Sequence, residues 1–125
     1  MQTRTRPAVK DRHIDSSILA LKIEDETRRL KREPEWISGK ENGITLAKYP
    51  HMRVVLVALR KGMSLREHAV EGPMSLYVLS GEVSIIVSGA AYEMSTRGLL
   101  TLRKTVPHDI RAKRNSLFLL TIMRP

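Results

Sequence analysis

Beyond Trp36 the apolar positions fall into short runs, many with a period near two, separated by Gly, Pro and Asn. That texture belongs to β-strands, whose successive side chains point to opposite faces. Nine strands are predicted, over Ile44 to Lys48, Arg53 to Leu59, Glu67 to Val70, Ser75 to Leu79, Val83 to Val87, Ala90 to Met94, Leu99 to Leu102, His108 to Ala112 and Leu117 to Met123. Two Ser-Gly pairs, in Ser80-Gly81-Glu82 and Ser88-Gly89-Ala90, read as hairpin turns, because glycine reaches the backbone conformation that other residues resist. Val54 to Leu59 lacks alternation, as expected of a strand covered on both faces. Strands of this number and spacing predict a sandwich or barrel.

Before Trp36 the spacing is helical. A helix is expected from Asp15 or Ser16, both good N-caps, to Glu33, with Pro34 ending it. Leu19, Ile23 and Leu30 fall near one face, and Glu24 with Arg28 and Asp25 with Arg29 are set as i, i+4 pairs. The apolar stripe is thin, which suits a helix lying across the outside of a barrel or against a second subunit. Residues 1–14 are polar, basic and include Pro7, and are expected to form a mobile arm. The division is thus an arm over 1–14, a helix over 15–34 and one β domain over 35–125.

A length of 125 residues suits one domain with a single core. With Phe118 and Trp36 the only residues of their kinds, that core must be aliphatic. The absence of cysteine removes disulfides, thiolate metal sites and thiol nucleophiles together. No apolar run approaches the roughly 20 residues of a membrane helix, and no apolar stretch follows the N-terminal charges as a secretory signal would require. A cytoplasmic protein without membrane association is the expectation. The net charge of +9 raises nucleic acid as a partner, but the basic residues are spread along the chain with no recognition motif, so no specific nucleic-acid binding is expected. Around His108 there is a local excess of Arg103, Lys104, Arg111, Lys113 and Arg114, opposed by Asp109. Those on the pocket side would favour an anionic small molecule.

Two stretches carry candidate chemistry: Gly62 to Gly81, containing His68, and Gly98 to Ile110, containing His108. Their layout resembles the two motifs of the cupin superfamily, over about residues 44 to 123. Gly62, His68 and Gly81 stand at three places of the first motif, and His108, after Val106 and Pro107, at the histidine of the second. Val70 stands where the family usually has a second histidine, and Met74 where it has glutamate. The resemblance implies an all-β, double-stranded β-helix (jelly-roll) barrel, here preceded by one α-helix, and a homodimer. It implies too that His68 and His108 converge inside the barrel.

Strand parity adds Val70, Met74, Leu76, Val78 and Ile110 to the lining, giving a mostly apolar ligand pocket with two imidazoles. The expected function is binding of a small molecule. The alternative is a metal-dependent oxygenase or isomerase in which His68 and His108, with solvent, hold a divalent zinc, nickel, iron or copper ion. Two imidazoles make only a weak site for such an ion, since catalytic zinc centres keep three protein ligands. His51, which begins a strand after Pro50, is within reach of the barrel rim as a third ligand, but a histidine at a strand end is expected to be exposed. Glu67 and Glu71 do not make an acid and base pair.

Overall fold

The computed structural model describes residues 13–67, 72–103 and 106–124. His68, Val70, Glu71 and Lys104 therefore lie outside the described residues, as does the expected arm up to residue 12. Two helices precede nine strands among the described residues: α1 (Ile23–Lys31), α2 (Pro34–Ile37), β1 (Asn42–Tyr49), β2 (Met52–Leu59), β3 (Ser64–Glu67), β4 (Met74–Ser80), β5 (Glu82–Val87), β6 (Ala90–Ser95), β7 (Leu99–Leu102), β8 (His108–Ala112) and β9 (Ser116–Met123). They form two antiparallel sheets, one in the order β1-β2-β9-β4-β7 and the other β3-β8-β5-β6. No helix among the described residues is long and apolar enough to cross a membrane.

Side-chain parity sorts the larger sheet into two faces. Val55, Val57 and Leu59 of β2 pair with Leu120, Phe118 and Ser116 of β9, and Leu120 and Phe118 pair with Leu76 and Val78 of β4. These side chains join Val83, Ile85, Ile110 and Ala112 of the smaller sheet in the core between the sheets. Phe118, Leu76, Val78, Ile85 and Ile110 are fully buried there. On the other face of β2, Leu56 and Ala58 form a second cluster with Ile44, Leu46 and Leu30 of α1. This explains the unbroken apolar run: β2 is covered by the barrel core on one side and by the helix on the other.

The helix is shorter than expected. It begins at Ile23 after Lys22, with no side-chain cap, while Asp15 and Ser16 lie in a turn closed by the Ser16 amide donating to the His13 carbonyl at 2.9 Å. Ile18 is 84% exposed, and the stretch ahead of it is tied to β1 instead, the Lys48 amide donating to the Ile14 carbonyl and the Tyr49 hydroxyl to the Ser16 carbonyl, each at 2.9 Å. Starting at Ile23 also places Glu24, Asp25 and Glu26 in the first turn and Arg28, Arg29 and Lys31 in the last, as the helix dipole favours. The ion pairs form at i, i+3: Arg28 with Asp25, and Arg29 with Glu26 at 3.0 Å. Pro34 opens the single turn of α2.

Polar contacts fix the helices to the barrel. Buried Asn42 on β1 donates through Nδ2 to the Leu30 carbonyl at 3.1 Å and to Glu33 Oε1 at 2.9 Å, satisfying a carbonyl at the end of α1. Arg60, beyond β2, lies 3.9 Å from the centroid of the Trp36 ring and donates through Nη2 to the Trp36 carbonyl at 2.6 Å.

The two Ser-Gly turns differ. Val87 pairs with Ala90, and Ser88 and Gly89 have φ of +50° and +82°, a two-residue hairpin turn with both central residues left-handed. Gly81 also has positive φ, but β4 pairs only with β7 and β9, and β5 only with β6 and β8. Ser80-Gly81-Glu82 is therefore a corner passing the chain from one sheet to the other, not the expected hairpin. Ser116 braces it: its Oγ accepts from the Glu82 amide at 3.0 Å, and a Cβ on Gly81 would collide with Ser116 and the Asn115 carbonyl.

Candidate functional site

At the other end of the barrel lie the last residues of β3 and β7 and the first of β4 and β8. At this mouth the inner face of the larger sheet ends in one row. Arg53 pairs with Ile122, Ile122 with Met74, and Met74 with Leu102. The smaller sheet ends in a facing row, with His108 paired to Val87 on β5 and to Glu67 on β3. Below lie the rows of Leu76, Ile110 and Ile85, then of Val78, Ala112 and Val83, all closely packed.

Of the expected lining residues, Met74, Leu76, Val78 and Ile110 occur together in the interior. His108 shares the buried face of β8 with Ile110 and Ala112 and is only 3% exposed. Leu76, Val78 and Ile110 have no exposed surface and form the floor beneath the mouth. His68 and Val70 lie outside the described residues.

His108 has a defined tautomer. Its Nδ1 lies 3.0 Å from the Val106 carbonyl, which can only accept, so Nδ1 carries the proton. Nε2 is buried with no hydrogen-bond partner among the described residues. In the neutral ring it is a bare lone pair, able to accept a hydrogen bond or to ligate a metal. A buried polar atom without a partner costs roughly 1–3 kcal/mol, so the position calls for an explanation.

Arg53 was absent from the expected site. Parity with Val55 and Val57, and pairing with Ile122, set it on the inner face in the mouth row. The residue is half-buried, and its Nε is buried without a partner among the described residues. The signal lay in the sequence as the even spacing of Arg53 from Val55, Val57 and Leu59, but the apolar run through both parities concealed which set faces inward.

The basic residues near His108 do not form one cluster. Arg111 and Lys113 lie on the outer face of the smaller sheet, where Lys113 Nζ contacts Glu93 Oε1 at 3.1 Å and Ser84 donates to Glu93 Oε2 at 2.9 Å. The Lys113 contact first, and then the Ser84 hydroxyl, hold the Glu93 carboxyl below its usual range. Arg114 contacts Glu82 at 3.8 Å, and Arg66 contacts Asp109 at 3.9 Å. Arg103 lines a cleft of about 500 Å³ with Ser75, Thr101, Thr121 and Met123, which share the outer face of the larger sheet, and with Pro73, Met74 and Leu102 at its edge. Strand alternation separates residues that are adjacent in sequence.

As a metal centre the described residues are insufficient. No group of three or more His, Cys, Asp or Glu comes together among them. His108 supplies one imidazole, and its strand neighbour Val87 supplies no donor. His51, in the turn between β1 and β2, is exposed and takes part through its carbonyl, which accepts from the Arg124 amide at 2.9 Å.

No protein-family model matches the chain, and no curated protein matches it. Solved structures do. A conserved protein of unknown function from Streptococcus pyogenes superposes with a TM-score of 0.71 at 21% identity, covering 89% of this chain and 94% of that one. A cupin superfamily protein from Desulfitobacterium hafniense gives 0.67 at 18% identity, covering 70% and 80%. Salicylate 1,2-dioxygenase from Pseudoaminobacter salicylatoxidans, in its adduct with gentisate, gives 0.75 at 17% identity, with 88% of this chain matching 34% of that enzyme. The chain thus has the cupin fold, the double-stranded barrel expected from its two glycine-anchored histidine motifs. Likeness at this level of identity extends to the fold and leaves the chemistry to the side chains.

Proposed function

We propose that this protein binds a small organic molecule in the mouth of its barrel. The observation that carries this reading is His108: a buried imidazole whose Nε2 has no partner among the described residues, in the row next to the aliphatic Ile110 and Leu76. Apolar walls with a few placed polar groups are the ordinary composition of ligand pockets. His68, the residue after β3 in the chain, would be the second imidazole, with Val70 two positions on. The bound form is proposed to be a homodimer, checked by its mass in solution.

Thermal-shift screening of small carboxylates and sugars tests the reading. A stabilising compound is expected in the wild type, with its effect lost in both His68→Ala and His108→Leu. Stabilisation that survives both substitutions would place the site elsewhere on the molecule.

A further inference from the structure

We infer that the ligand is a hydroxycarboxylate with an apolar body, its carboxylate held by Arg53 and its hydroxyl by His108. The inference rests on the pocket reading above and adds the class of molecule and an anchor on the opposite wall.

Arginine is seldom buried without a partner, because its guanidinium carries five donors and stays charged at any ordinary pH. Here a strand whose inward positions are otherwise Val55, Val57 and Leu59 ends with one. Its Nε is buried and unpaired among the described residues while the residue as a whole remains partly exposed. The side chain is thus committed to the inner face through Nε while the residue keeps some contact with solvent. Its strand partners, Lys48 on β1 and Ile122 on β9, provide no carboxylate. A planar fork of this kind suits a carboxylate held by two parallel hydrogen bonds.

The opposite wall has different chemistry. With Nδ1–H donating to Val106, His108 shows neutral Nε2 as an acceptor, the match for a hydroxyl donor. Arg53 and His108 belong to different sheets, which pack about 10 Å apart face to face. Ile122, Met74 and Leu102 continue the row of Arg53 and Val87 stands next to His108, all apolar and all packed on the core. A ligand satisfying both nitrogens therefore has an anionic end, an apolar middle and a hydroxyl at the far end.

Three probes separate these features: para-hydroxybenzoate, its neutral amide para-hydroxybenzamide, and benzoate, which lacks the hydroxyl. Each is titrated by calorimetry into the full chain, Arg53→Gln, Arg53→Lys and His108→Leu, with unfolding curves confirming that each variant folds. The wild type is expected to bind para-hydroxybenzoate more tightly than either of the others, by roughly ten- to a hundredfold for the charge. Arg53→Gln should erase the preference for acid over amide and leave the preference for the hydroxyl. His108→Leu should do the reverse. If Arg53→Gln fails to fold, Arg53→Lys carries the same comparison and should show a reduced preference for the acid. Equal binding of all three probes, with Arg53 variants unchanged, overturns the inference and leaves the pocket standing. Binding of none of them overturns the inference and counts against the pocket as well.

Discussion

Replacing His108 with leucine should leave the folded protein at least as stable as before, an uncommon expectation for a residue buried to 97%, the complement of its 3% exposure. Substitution removes the hydrogen bond from Nδ1 to Val106, which contributes about 0.5–1.5 kcal/mol. Val106 is partly exposed, so its carbonyl can turn to water. In return the change abolishes a buried Nε2 with no partner among the described residues, whose desolvation costs roughly 1–3 kcal/mol. Leucine also brings an apolar side chain beside Val87, at a level of the barrel where Met74 and Leu102 are apolar too, at little change in volume. The net expectation is a change between about zero and 2 kcal/mol in favour of the variant. Equilibrium unfolding in urea, near pH 8 and with a chelator present, measures it while keeping free imidazole neutral and metal absent. A loss of more than about 2 kcal/mol in His108→Leu would refute the reasoning, because only an imidazole fully paired in solution costs that much to remove. A gain accompanied by loss of ligand binding would be the signature of a residue kept for recognition at the expense of stability.

Three further outcomes are expected. Gly81→Ala should destabilise by at least about 3 kcal/mol in urea unfolding, since it adds positive-φ strain to a clash with Asn115 and Ser116, whereas Gly89→Asn, with nothing within 4 Å, should cost under about 1 kcal/mol. The Glu93 carboxyl is held below its usual range when folded, so its contribution is present above the unfolded carboxylate range and lost as pH falls through the lower folded value. Stability curves of the wild type and Glu93→Gln should accordingly converge in that acidic window, and a constant gap would show that the Lys113 contact does not persist in solution. Elemental analysis of protein prepared without metal-affinity steps, before and after reconstitution with zinc or iron, should find less than one ion per chain, and a stoichiometric ion lost in His108→Ala would favour the metal-dependent alternative.

Most of the strand pattern was legible because alternation and turn residues agree with each other. Eight strands begin and end within two residues of their expected bounds. The ninth, β3, starts at Ser64, ahead of Glu67, because Gly62 turns the chain early: its amide donates to the Ala112 carbonyl at 2.8 Å. The corner at Gly81 was misread because a left-handed glycine serves a hairpin and a sheet-to-sheet corner equally well, and only the non-local pairing of β4 with β9 separates them. The helix start was misread because Asp15 and Ser16 offer caps, yet hydrogen bonds from Lys48 and Tyr49, far along the chain, hold that stretch against β1 instead. At the site, parity placed Met74, Leu76, Val78 and Ile110 in the interior from sequence alone. Arg53 escaped because a charged residue at the start of an apolar run reads as solvent-facing until its partner, Ile122, is known.

The rows stacked along the barrel axis separate two tasks that most small domains must perform with the same residues. Phe118, Leu76, Ile85 and Ile110 specify the architecture from the lower rows, whereas Arg53, Met74 and His108 occupy the last tier of the two sheets. Exchanges confined to that tier would alter selectivity without rewriting the scaffold. A barrel arranged in this way can diversify its ligands one side chain at a time, which makes its uppermost row the natural place to begin redesign.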